Sequence, residues 1–167
     1  MWRKDGGAEE SHLYYLAICF VKRILVNSRF LMNPVTGAQR YAREMVNALR
    51  DAGQGWYDLL LAVPGRVSSD FGAGIQVVED RCGLSGHLWE QVRLPAITRK
   101  TKADLLWSPC GSGPVSVGRQ LVTIHDASVF ACRRCFRWTY GTYYRTLLPL
   151  LSKRVLRVIT VSEFSRS

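Results

Sequence analysis

The stretch Gln120–Asp126 (QLVTIHD) limits the possible folds more than any other part of the chain. Leu121, Val122, Thr123 and Ile124 are apolar or β-branched, follow Gly118-Arg119, and show no helical period. Such a run reads as a short buried strand of a parallel sheet. It leads directly into His125 and Asp126. Ligands of open α/β sheets bind just beyond the carboxyl ends of the strands, and the His-Asp pair falls at that point.

The remaining segments fit the same plan. Arg23–Asn27 (RILVN) is a short buried strand, and Ser28–Gly37 is a loop punctuated by Asn33-Pro34 and Thr36-Gly37. From Ala38 to Ala52 the apolar positions Ala38, Tyr41, Ala42, Met45, Val46, Leu49 and Ala52 keep an i, i+3, i+4 period, so this segment is a helix stopped by Gly53. A strand, a glycine-bearing loop and a helix in succession bring free N–H groups and the positive helix end beside the strand. The same residues also make a plain turn with no ligand, and neither a dinucleotide fingerprint nor a P-loop is present. Further strands are read at Tyr57–Val63, Ile75–Val78, Asp104–Ser108 and Val158–Val161. Leu88–Lys100 reads as a helix kinked or split by Pro95, with Trp89, Val92 and Ala96 inward and Glu90 and Gln91 on a solvated face. Strands separated by helices and loops imply parallel pairing and right-handed crossovers, an α/β fold.

Composition narrows the partners. The 167 residues are 47% hydrophobic, which suits one compact domain, and the net charge of +10 favours an anionic partner. Five cysteines at scattered spacings do not form a secreted disulfide framework; Cys132-Arg-Arg-Cys135 has no second pair or nearby histidine, so free thiols are expected. His12, His87 and His125 are far apart in sequence, no G-x-S-x-G is present, and neither a metal site nor a hydrolytic triad is expected. The apolar run Leu13–Val21 is too short for a bilayer span of about 20 residues, and Lys22-Arg23 follows it in place of a cleavage site. Residues 1–21 are therefore expected to be an extension outside the fold, disordered or interfacial.

Phe136–Leu151 reads as a helix with one apolar and aromatic stripe, and no acidic residue falls between Asp126 and Glu163. Arg133, Arg134, Arg137 and Arg145 lie in this interval, and such a helix can lie on an anionic membrane or serve as an ordinary core helix with solvated cations. No zinc-finger, helix-turn-helix or RNP pattern accompanies the charge, so nucleic acid is the less expected partner, and a non-catalytic basic α/β module binding anionic membrane or nucleic acid is the alternative reading.

Taken in order, ILVNSRFLMNPVTGAQRYAREMVNAL (24–49), WEQVRLP (89–95), DLLWSPCGSGPV (104–115), LVTIHD (121–126), YYRTLLPLL (143–151) and VITVSEFSRS (158–167) resemble the N-terminal half of a family 4 glycosyltransferase of the GT-B superfamily. The resemblance runs from Arg23 to the end of the chain. It implies a Rossmann-like parallel sheet with helices on both faces, spanning residues 22–167. It also implies transfer of a mannose- or rhamnose-like hexose, with retention, from a nucleotide-diphosphate sugar to a saccharide or lipid-linked acceptor. No cofactor or metal is implied, because the nucleotide-sugar is a co-substrate. Carried over by motif, His125 is the catalytic contact to the transferred sugar, and Thr36, Gly37 and Asp126 bind or organise around the donor. Ser162 and Ser165 cap the helix lining the cleft, and Trp89 and Glu90 lie toward the acceptor. The resemblance implies a cytoplasmic protein, peripheral at the inner membrane. Two departures stand out. Relatives carry a His-Pro-Glu-like segment where this chain has Ala131–Cys135, and the donor-binding domain with its glutamate-rich signature is not among these residues. The expected object is a truncated or lone N-terminal domain that does not turn over alone.

Overall fold

The computed structural model describes residues 22–67, 71–126, 128–131, 133–135 and 137–161. The chain begins with strand β1 (Arg23–Asn27), a 3-10 turn (Ser28–Met32) and helix α1 (Gly37–Ala52). Strands β2 (Asp58–Val63) and β3 (Gln76–Glu79) lead to helix α2 (Gly86–Lys100). Strands β4 (Leu105–Ser108) and β5 (Gln120–Ile124) follow, then the single turn α3 (Ser128–Ala131) and a 3-10 turn (Arg133–Cys135). Helix α4 (Trp138–Arg154) and strand β6 (Arg157–Thr160) close the described chain.

The six strands form one sheet in the order β3-β2-β1-β4-β5-β6, and every pairing among the described residues is parallel. This is a Rossmann-like α/β sheet, as the strand and helix pattern predicts. Successive strand residues face opposite sides, and the two cores follow that parity. Leu25, Leu60, Ala62 and Leu106 pack with Trp89, Leu94 and Ile97 of α2. Their neighbours Val26, Leu61 and Trp107 pack with Ala42 and Val46 of α1 on the other side. Val122, on the α2 side by register, packs with Leu147 and Leu151 of α4.

Several local expectations are corrected. The segment after β1 is not all loop but turns as a 3-10 helix, with the Asn27 side chain accepting from the Arg29 N–H. Pro95 neither splits nor ends α2, which runs through it. Val92 is 53% exposed rather than inward, and the buried stripe is Trp89, Glu90, Leu94, Pro95, Ile97 and Thr98. The helix read from Phe136 begins at Trp138, after the two short turns. Cys82 and Cys110 are free thiols, whereas Cys135 is disulfide-bonded, contrary to the expectation for all five.

Candidate functional site

In this strand order the crossovers leave β1 toward opposite halves of the sheet, so β1 and β4 flank the topological switch point, where such sheets open a crevice for ligands. Both strands end in polar residues that are buried there. Asn27 is 4% exposed and Ser108 is 0% exposed, and Asn27 Nδ2 donates to Ser108 Oγ at 3.3 Å. Ser108 Oγ in turn donates to Gln120 Oε1 at 3.1 Å, which ties the start of β5 into the same network.

The centre of this network is Glu90. Its side chain is 0% exposed, although periodicity assigned it to a solvated face. Asn27 Nδ2 donates to Oε1, as does Ser112 Oγ at 3.0 Å. His87 Nδ1 lies 3.2 Å from Oε2, and Arg29 Nε lies 3.7 Å from Oε1. Burial pushes the carboxyl up, but the contacts from His87, Arg29, Asn27 and Ser112 outweigh it, and the group sits below the ordinary carboxylate range. Glu90 is therefore a buried anion held by four partners. Gln91 is bound as well: its Nε2 donates to Gly113 C=O at 2.8 Å and its Oε1 accepts from Val115 N–H at 3.1 Å. It pins the Gly/Pro/Ser loop against α2.

Two adjoining cavities open along this edge. The first, about 340 Å³, is bordered by Asn27, Arg29, Thr36, Gln39, His87 and Glu90. The second, about 140 Å³, reaches His125 and Asp126. Ala38, Cys110, Tyr140 and Tyr144 border both, so the two form one groove across the carboxyl edge of the sheet. Aromatic rings border the groove or pack behind it. Tyr140 and Tyr144 stand 4.5 Å apart between centroids, and His87 stands 4.4 Å from Tyr143. Burial raises the hydroxyl pKa of Tyr144 and of Tyr143, so both remain neutral donors. Burial also pushes the Cys110 thiol up to about 12, and its Sγ–H donates to Ala38 C=O at 3.5 Å, which rules it out as a thiolate nucleophile.

His125 follows β5 at the other end of the groove. Its Nε2 lies 2.7 Å from Pro109 C=O, so this nitrogen carries the proton, and in the neutral ring Nδ1 is the acceptor. The ring packs edge-on to Tyr41 at 5.0 Å. Asp126 Oδ1 accepts from the Ser128 N–H at 2.9 Å and from its hydroxyl, which shapes the turn after β5. Thr36 is the N-cap of α1, and its N–H donates to Gln39 Oε1 at 3.2 Å. Gly37 is the first residue of α1, and open space surrounds the position a Cβ would take.

His125, Asp126, Thr36 and Glu90 thus share one groove, with Gly37 at its rim. Trp89 does not join them. It is 0% exposed in the core and its indole N–H donates to Asp80 Oδ2 at 2.9 Å, because its position on α2 points into the sheet. Ser162 and Ser165 lie outside the described residues. Of the cations expected to face a membrane, Arg134 and Arg137 are exposed, and Arg133 lies on the 3-10 turn, its side chain outside what is described. Arg145 is instead half-buried, its guanidinium donating to Val129 C=O at 3.1 Å. Sequence reasoning missed Asn27, Arg29, His87 and Ser112. One signal was present: His87 precedes Glu90 by three residues, on one face of a helix. Among the described residues no three His, Cys, Asp or Glu side chains are grouped to hold a metal ion.

The fold and groove define a doubly wound α/β unit with a polar crevice at its switch point. No family model matches the chain, and no curated protein or solved structure shows significant similarity to it.

Proposed function

We propose that this chain is the acceptor-side domain of a retaining, nucleotide-sugar-dependent hexosyltransferase that transfers a mannose- or rhamnose-like sugar to a saccharide or lipid-linked acceptor. The observation that carries this reading is the single groove joining the buried Glu90 network to His125 at the carboxyl edge of the sheet. Glu90 holds Asn27, Ser112 and His87 in place around the larger cavity, where the acceptor sits. His125, with Nε2–H fixed on the Pro109 carbonyl, meets the transferred sugar at the other end. The resemblance of LVTIHD and the segments around it to family 4 enzymes supports the same assignment. Turnover requires a donor-binding domain across the cleft, because orientation of two substrates is most of what such a site contributes.

The test is a pair of measurements on the 167-residue chain. Calorimetric titration with a lipid-free saccharide acceptor should give saturable binding that Tyr140→Ala, at the larger cavity, weakens. Incubation with radiolabelled nucleotide-diphosphate hexose and acceptor should give no transfer. Transfer by the chain alone would refute the half-site reading, and absence of saccharide binding would refute the acceptor assignment.

A second reading has its own observation. Trp138 is 77% exposed and Phe130 46% exposed, near the exposed Arg134 and Arg137. Aromatic and cationic side chains together favour the interface of an anionic membrane. No helix among the described residues is long and apolar enough to cross a bilayer. This reading places the domain peripherally on the membrane, with or without catalysis. Vesicle sedimentation with and without anionic lipid tests it: binding should need the anionic lipid, fall steeply with salt, and be unaffected by His125→Ala.

A further inference from the structure

The chain carries a net charge of +10, yet the groove does not share it. Histidines aside, the ionisable side chains bordering its larger cavity that carry charge near neutral pH are Arg29 and Glu90, which cancel. Arg29 is also engaged: its Nε lies 3.7 Å from Glu90 Oε1, its Nη2 donates to Ser112 Oγ at 3.0 Å, and its side chain is only 17% exposed. Asp126 adds a negative charge at the smaller cavity, against the partial positive charge of the helix ends that meet at this edge. Recognition of a phosphate wants an uncompensated cation or a guanidinium fork, and Glu90 removes the one candidate here.

The rest of the lining is amide, hydroxyl and aromatic. Asn33, Thr36 and Gln39 border it together with Tyr140 and Tyr144. The volume of about 340 Å³ lies in the range of small-ligand clefts. Hydroxyl-binding groups and aromatic rings lining one cavity suit a ligand with a ring of C–H bonds on one side and hydroxyls around its edge. We propose that the groove receives an uncharged pyranose, and that Glu90 is the specificity residue that keeps anionic sugars out by cancelling Arg29. This rests on the acceptor-side reading above and names the chemistry of what that site takes. Any phosphate of an acceptor would lie outside the larger cavity.

The test uses the whole chain and saturation-transfer NMR titrations with methyl α-D-mannopyranoside and with α-D-mannose 1-phosphate, plus the glucose and rhamnose counterparts. The methyl glycoside should bind at least as tightly as the phosphate, with an affinity that hardly changes between about 50 and about 500 mM salt. Glu90→Gln frees the Arg29 charge and should turn the preference toward the sugar phosphate by about tenfold, with a new salt dependence. Tyr140 is 46% exposed, so Tyr140→Ala should fold whatever becomes of the Glu90 variant. It should weaken glycoside binding about two- to tenfold, the size of an aromatic face contact. Wild-type preference for the phosphate by tenfold with steep salt dependence would overturn the proposal and leave the acceptor-side reading standing. Unchanged glycoside binding by Tyr140→Ala would likewise overturn it. Failure of every probe to bind the wild type would overturn both.

Discussion

Glu90 couples the stability of this protein to pH. Its folded carboxyl lies below the ordinary value because its partners favour the charged form despite burial. A depressed carboxyl contributes stability that is complete above its unfolded value, about 4.3 for glutamate, and is lost as pH falls through the lower folded value. Asp80 behaves alike. Hydrogen bonds from Arg93 at 2.9 Å to both of its oxygens, and from Trp89 at 2.9 Å, hold it at about 2. The urea midpoint of the wild type should therefore be flat above pH about 5 and fall steadily toward pH 2. In Glu90→Gln and Asp80→Asn that fall should be shallower, starting from a lower plateau. Glu90→Ala should cost about 3–5 kcal/mol, because Arg29 and Asn27 are left without their buried partner; denaturant titration at neutral pH measures it. Gly37 gives a cleaner probe of the ligand. A Cβ there meets nothing, so Gly37→Ala should leave stability unchanged or raise it by up to about 1 kcal/mol. A loss of ligand affinity in that variant, read by calorimetry, then reports close approach of the ligand to the α1 backbone.

At the scale of elements, β1 and the mass of α1 were legible because their signals are local: an apolar run, an i, i+4 stripe, a glycine stop. Pro95 misled because a proline warns of a break, while the burial of Leu94, Pro95 and Ile97 around it holds α2 together. The His125 end of the groove was legible because a His-Asp pair closing an apolar run stands out. The Glu90 end was not. Periodicity sends a helical glutamate to solvent, and its partners come from residues as far as 63 positions away. Only the topology joins them. The loop between β4 and β5 is part of that join. A Cβ on Gly113 would sit 2.2 Å from Gln120 Oε1 and 2.9 Å from Ser108 Oγ. Gly113→Ala should push the Gln120 amide off Ser108 and destabilise the fold by about 1–3 kcal/mol; under the acceptor-side proposal it should also weaken saccharide binding in step. Thermal unfolding with and without saccharide separates the two effects.

For the molecule as a whole, the strand order has a consequence in time. Among the described strands, the first to be synthesised lies at the centre of the sheet, with β2 on one side and β4 on the other. Asn27 must wait for Ser108, 81 positions later, before the polar seam between them can close. Non-local pairings of this kind slow folding, since loop closure precedes the contacts that reward it. The β1-β2-β3 half can assemble first, with one flank of β1 bare until β4 docks. If the acceptor-side proposal holds, stopped-flow refolding should show tyrosine and tryptophan burial in the core before saccharide affinity returns, with the gap widened by Asn27→Ala. The groove thus cannot close before two distant parts of the chain meet, and its completion comes after the pairing of β1 with β2.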